Sequence, residues 1–134
     1  FDTSGLPGGA QVVAATLRTG MDTEFGSPFT EFGNMVVDHV LLGAGLDNAD
    51  FASAALTTVI GALATDGIQE AKTMDVTSAV QADRDAARAT SDFRIYFVGA
   101  PDGEADQDFV WLTNTGTPLT VAVEPELLIT YTVP

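Results

Sequence analysis

The chain has 134 residues, enough for one domain with a continuous core. Lys and Arg number 5 against 19 Asp and Glu, and the resulting net charge of −14 repels nucleic-acid phosphate and anionic membrane surfaces, so neither is an expected partner. A mean hydropathy of +0.20 beside that charge argues against disorder, and zero cysteines exclude disulfides and thiolate metal sites.

No apolar run approaches the ~20 residues of a membrane helix, so membrane insertion is not expected. No basic and apolar leader opens the chain, which is read as mature or excised. The Asp-rich, Lys-poor, Cys-free composition suits salty or calcium-containing surroundings at an extracellular or cell-surface location, and cytosolic halophile proteins share it.

In chain order, Gln11 to Met21 places Val13, Ala15, Leu17, Thr19 and Met21 on one face of a strand. Asn34 to Leu42 is apolar on both faces, which predicts a central strand; His39 within it has no second histidine and reads as a hydrogen-bonded structural residue. Leu46 to Leu56 is a loop with a helical turn or a helix start, where Asp47, Asn48 and Asp50 either cap the turn at Phe51 or join an ion site. Thr57 to Ala64 is rich in β-branched residues, and the turn residues Thr65, Asp66 and Gly67 then predict a hairpin with Gln69 to Val76.

Thr77 to Arg88 is the one expected helix, Ala-rich inside, with Thr77 or Ser78 as cap and Gln81 completing a capping box after Ser78. Phe93, Ile95 and Phe97 alternate with Arg94, Tyr96 and Val98 and predict another central strand. Phe109 to Thr113, Leu119 to Val123 and Glu126 to Val133 complete the series, with a turn at Asn114 to Pro118. The expected fold class is all-β, an antiparallel β-sandwich of jelly-roll type over 1–134 with one short connecting helix near 77–88.

Three phrases resemble the DNRLRE-type domains, secreted jelly-roll modules related to a carbohydrate-binding module family. Phe1-Asp2-Thr3-Ser4-Gly5-Leu6-Pro7-Gly8-Gly9-Ala10 leading into Val12 to Leu17 is similar to the segment where a strand ends in Phe-Asp, turns through Pro-Gly and re-enters as an Ala-Thr-Leu strand. Met74 to Gln81 resembles the Asp-Val-Thr helix entry, and Glu126 to Tyr131 the closing strand. The resemblance implies a module lacking its usual leading strand, whose open sheet edge would be filled by a strand from a neighbouring subunit or another part of a longer polypeptide.

Asp102, Glu104, Asp106 and Asp108 alternate in one loop, which is either a solvated acidic loop or a Ca2+ site built from hard oxygen donors. Phe25, Phe29 and Phe32 share a Gly- and Pro-rich loop, where they either close the end of the core or stack on a sugar or a protein partner. Trp111, expected beside Tyr96 on a neighbouring strand, either packs in the core or at its rim or forms a sugar platform with it.

With one histidine, no cysteine, no Gly-x-Ser-x-Gly and no glycine-rich phosphate cradle, an enzyme is not expected. Two functions fit: a non-catalytic module binding polysaccharide or mediating adhesion, and a structural subunit of a surface filament or coat whose partners are neighbouring protein subunits.

Overall fold

The computed structural model describes residues 1–43, 45–100, 103, 106–113 and 123–134. Two antiparallel sheets make an all-β sandwich, as the two-residue periodicity predicts. Strand β1 (Gln11–Phe25) organises the first sheet. Along one side it pairs with β4 (Glu70–Asp75); along the other it pairs with β7 (Glu126–Thr132) and then β6 (Phe109–Leu112). The second sheet has the order β3 (Ala55–Ala64), β2 (Met35–Val40), β5 (Asp92–Phe97).

Leu17 and Met21 of β1, Met74 of β4, Met35 and Val37 of β2 and Leu63 of β3 meet in one core between the sheets. Helix α2 (Thr77–Asp85) adds Val80 to it, and Phe93, Ile95 and Phe97 close it from β5. All six residues of β2 are buried, as its two apolar faces and central place require.

The structure corrects five expectations. Val13 is exposed: the β1/β7 register shifts between Val12 and Ala14, and this bulge turns Val12 onto the core in its place. Thr57 to Ala64 and Gln69 to Val76 do not form a hairpin, because β3 pairs with β2 and β4 with β1. The intervening turn crosses between sheets, held by Asp66, which accepts from the Ile68 amide at 3.1 Å and from Lys72 Nζ at 2.7 Å.

Among the described residues β5 is an edge strand, not a central one. A four-residue helix α1 (Pro28–Glu31) accompanies the expected one. Finally, α2 ends before residue 88 and is capped by neither Thr77 nor Ser78; the Thr77 amide donates instead to Asp75 Oδ1 at 2.8 Å. Its would-be capping residues serve β1 instead: Thr77 Oγ1 accepts from the Ala15 amide at 2.9 Å, and Gln81 Oε1 from the Val12 amide at 2.7 Å. These contacts satisfy main-chain groups of β1 beyond the reach of β4.

The end of α2 is a Schellman turn. Ala87 adopts φ 54°, its amide donates to Arg84 O at 3.0 Å, and the Arg88 amide donates to Asp83 O at 2.9 Å. That turn returns the Arg88 side chain onto Asp83.

Candidate functional site

The five aromatic residues singled out by sequence fall at three separate places. Phe25 and Trp111 lie together on the outer face of the first sheet. The strand alternation explains why: Val110 and Leu112 pack on the core, so Phe109 and Trp111 point away from it, and Phe25 pairs directly with Phe109. Phe25 stacks on Phe109 at 4.6 Å between ring centroids, and Trp111 lies 6.1 Å from Phe109 and 6.0 Å from Phe25. Phe25 and Trp111 remain 47% and 50% exposed.

Phe29 and Phe32 instead pack edge-on against Phe97, at 5.2 and 6.1 Å, and close one end of the core. Tyr96 is not beside Trp111, because β5 and β6 belong to different sheets. The expected Trp111 and Tyr96 platform therefore does not form. Phe109, which completes the cluster, is not among the candidates drawn from the sequence; its position two residues before Trp111 is the signal that points to it.

Tyr96 belongs to a polar network on the outer face of the second sheet. Asp38 pairs across the strands with Arg94, and Tyr96 follows Arg94 on the same face. The buried Asp38 carboxylate accepts from Arg94 Nη2 at 2.5 Å, from the Tyr96 hydroxyl at 3.0 Å and from the Val59 amide at 2.8 Å. Burial opposes ionisation of Asp38, but the Val59 amide, Arg94 and Tyr96 outweigh it and hold the carboxyl below the usual aspartate range. Burial, then the neighbouring Asp38, pushes the Tyr96 hydroxyl up.

Opposite Asp38 the β2/β3 ladder bulges: Val37 pairs with Gly61 and His39 with Thr57, so Thr58, Val59 and Ile60 face a single residue. Val59 has φ 47°, a left-handed conformation costly for a β-branched side chain. Arg94 also reaches over this face through Nη1, donating to Phe51 O at 2.7 Å and Ser53 O at 2.9 Å. It thereby ties down the short 3-10 turn Asp50–Ala52, whose approach is shaped by Asp47 accepting from the Ala49 amide at 2.7 Å. A recess of about 450 Å³ lies between this turn and the sheet.

On the inner face of β2, His39 Nε2 lies 2.9 Å from both carboxylate oxygens of Asp83, and Arg88 Nη1 lies 2.9 Å from Asp83 Oδ1. His39 is thus hydrogen-bonded, as its place in the strand predicts. A second cleft of about 400 Å³, lined by His39, Thr57, Thr77 and Ser78 among others, opens beside it.

Of the acidic loop, Asp102 and Glu104 lie outside the described residues; Asp106 is exposed. Asp108 Oδ1 accepts from the Ser27 amide at 2.6 Å, and a Cβ on Gly26, which has φ 71°, would sit 1.9 Å from that oxygen. Asp108 thus fastens the end of β1 to the start of β6. Among the described residues no group of three or more His, Cys, Asp or Glu side chains is arranged to hold a metal ion.

No family model matches the chain, and no curated protein or solved structure does either.

Proposed function

We propose that the protein is a non-catalytic module that binds glycans or mediates adhesion outside the cell. The observation that carries this reading is the solvent-facing cluster of Phe25, Phe109 and Trp111 on a sheet face. Exposed aromatic side chains on rigid strands offer sugar C–H groups a large contact area with little side-chain entropy left to lose. The resemblance of the Phe1, Met74 and Glu126 phrases to DNRLRE-type domains supports the same function. Affinity electrophoresis in gels containing neutral or acidic polysaccharides tests it: retardation that Trp111→Ala weakens is expected, and unretarded migration in every polysaccharide rejects the reading.

A second reading, a structural subunit completed by a strand from a neighbour, is favoured by the open side of β5. Phe1 exchanges main-chain hydrogen bonds with Ser91 at 2.9 and 3.0 Å, and Thr3 donates to Ala89 O at 2.9 Å. Val98 donates to Asn34 on the opposite, β2 side. By alternation, the main-chain groups of Phe93, Ile95 and Phe97 point to the side on which Phe1 lies, where no described strand pairs with them. Light scattering and electron microscopy of the purified chain decide this reading: ordered assemblies are expected, and a monodisperse monomer across concentrations rejects it.

A further inference from the structure

We infer that the recess under Phe51 is a second ligand site, on the sheet opposite the Trp111 cluster, shaped for the ring of a neutral sugar. It takes its ligand class from the glycan-binding reading and adds an independent place and a charge preference.

Phe51 is 72% exposed on a three-residue turn. The turn is not loose: the two carbonyls on either side of its end, Phe51 O and Ser53 O, are both held by Arg94 Nη1. The Arg94 guanidinium carbon lies 6.0 Å from the Phe51 ring centroid and 5.9 Å from that of Tyr96. An aromatic ring carried on a clamped turn therefore lines one recess together with a guanidinium, a tyrosine and Thr58. The volume of about 450 Å³ falls within the range of about 300–1,000 Å³ found for small-molecule pockets.

Charge selects among ligands. The cation of Arg94 is matched by Asp38 at 2.5 Å, so the recess offers an anion no uncompensated positive charge, and the chain as a whole carries −14. A cationic ligand would meet the guanidinium itself. A neutral ring with an apolar C–H face and equatorial hydroxyls fits both parts: the face stacks on Phe51, and the hydroxyls meet the Thr58 hydroxyl and the guanidinium N–H groups left free by Asp38, Phe51 O and Ser53 O. The strained Val59 belongs to the bulge that also carries Thr58 to the recess, and backbone strain of this kind concentrates at ligand sites.

The test is a titration of the ¹⁵N-labelled chain, followed by amide and side-chain NMR signals, with the methyl β-glycosides of glucose, galactose and mannose and with sodium glucuronate. Saturable shifts at Ser53, Thr58 and Arg94 with at least one neutral glycoside are expected. Phe51→Ala, whose lost ring is largely exposed, should weaken that response at least about tenfold, whereas Trp111→Ala should leave it unchanged. Shifts confined to Trp111, Phe109 and Phe25 overturn the inference while upholding the glycan-binding reading; shifts confined to the recess uphold the inference and reject the Trp111 cluster as the place where glycan binds. Glucuronate acting as well as the neutral glycosides, a response that survives Phe51→Ala, or no response to any glycoside also overturns it.

Discussion

The main-chain amide of Val59 donates to the buried carboxylate of Asp38 at 2.8 Å, in place of a ladder partner that the β3 bulge has removed. One acidic side chain in the middle of a buried strand thereby stabilises a backbone conformation that a valine resists. Asp38→Ala leaves Arg94 partly buried without its counter-charge and should lower stability by about 3–5 kcal/mol. Val59→Gly relieves the left-handed strain at the loss of a half-exposed side chain and should be neutral or stabilising by about 1 kcal/mol. Urea denaturation of both variants measures the two effects, and a strongly destabilised Val59→Gly would count against strain at this bulge.

The same network sets a pH dependence. The folded-state pKa of Asp38 is lowered, so its contribution is fully present above the unfolded value of about 3.9 and is lost as pH falls through the folded value. Burial pushes Lys72 down, but Asp66 and Glu70 outweigh it and raise its pKa. Its contribution is fully present below about 10.4 and is lost as pH rises through the folded value. Stability should therefore be flat near neutrality with regard to these groups and fall at both limits. Urea midpoints across pH should show the acid limb shrinking in Asp38→Asn and the alkaline limb shrinking in Lys72→Met.

Ala87→Gly should stabilise the protein by about 0.5–1 kcal/mol, because the Schellman turn after α2 requires a left-handed residue and glycine adopts that conformation without a Cβ clash. Thermal unfolding reads the gain. A lower melting temperature would show that the Ala87 methyl group contributes more than its backbone strain costs.

Gly26→Ala should cost more than about 1 kcal/mol, since its Cβ meets both Asp108 Oδ1 and, at 2.8 Å, the main-chain oxygen of Gln107. Asp108→Ala removes the hydrogen bond to Ser27 and should cost about 1 kcal/mol. Both effects should persist in the presence of a chelator, measured by thermal unfolding with and without EDTA.

Trp111→Ala and Phe29→Ala should separate surface from core. Trp111 is half exposed, and its removal should change stability by less than about 1 kcal/mol. Phe29 packs on the core against Phe97, and its removal should cost about 1–3 kcal/mol. Equal costs in urea denaturation would contradict the separation of these aromatics into surface and packing positions.

Periodicity alone made the sandwich class legible, along with the buried course of β2 and the inward face of Phe93, Ile95 and Phe97. It could not reveal which sheet a strand joins. Thr65, Asp66 and Gly67 carry the chemistry of a turn whether the next strand folds back in its own sheet or crosses to the other, so the hairpin and the Tyr96 and Trp111 pairing were both misplaced. Bulges were illegible for a related reason: a residue that slips out of register, such as Val13 or Val59, is an ordinary strand former in composition. The role of Arg94 depends on a turn 41 to 43 positions away and leaves no local pattern.

The course of β1 has a consequence for the order in which the molecule can be made. Its first half is paired with the final strand, and the Arg18 to Glu126 contact spans 108 positions. During synthesis that half has no ladder on its β7 side until all the residues between it and β7 have followed. Folding is therefore committed late, by long-range closure rather than by local hairpins, which slows it and lengthens the time an apolar strand spends without cover.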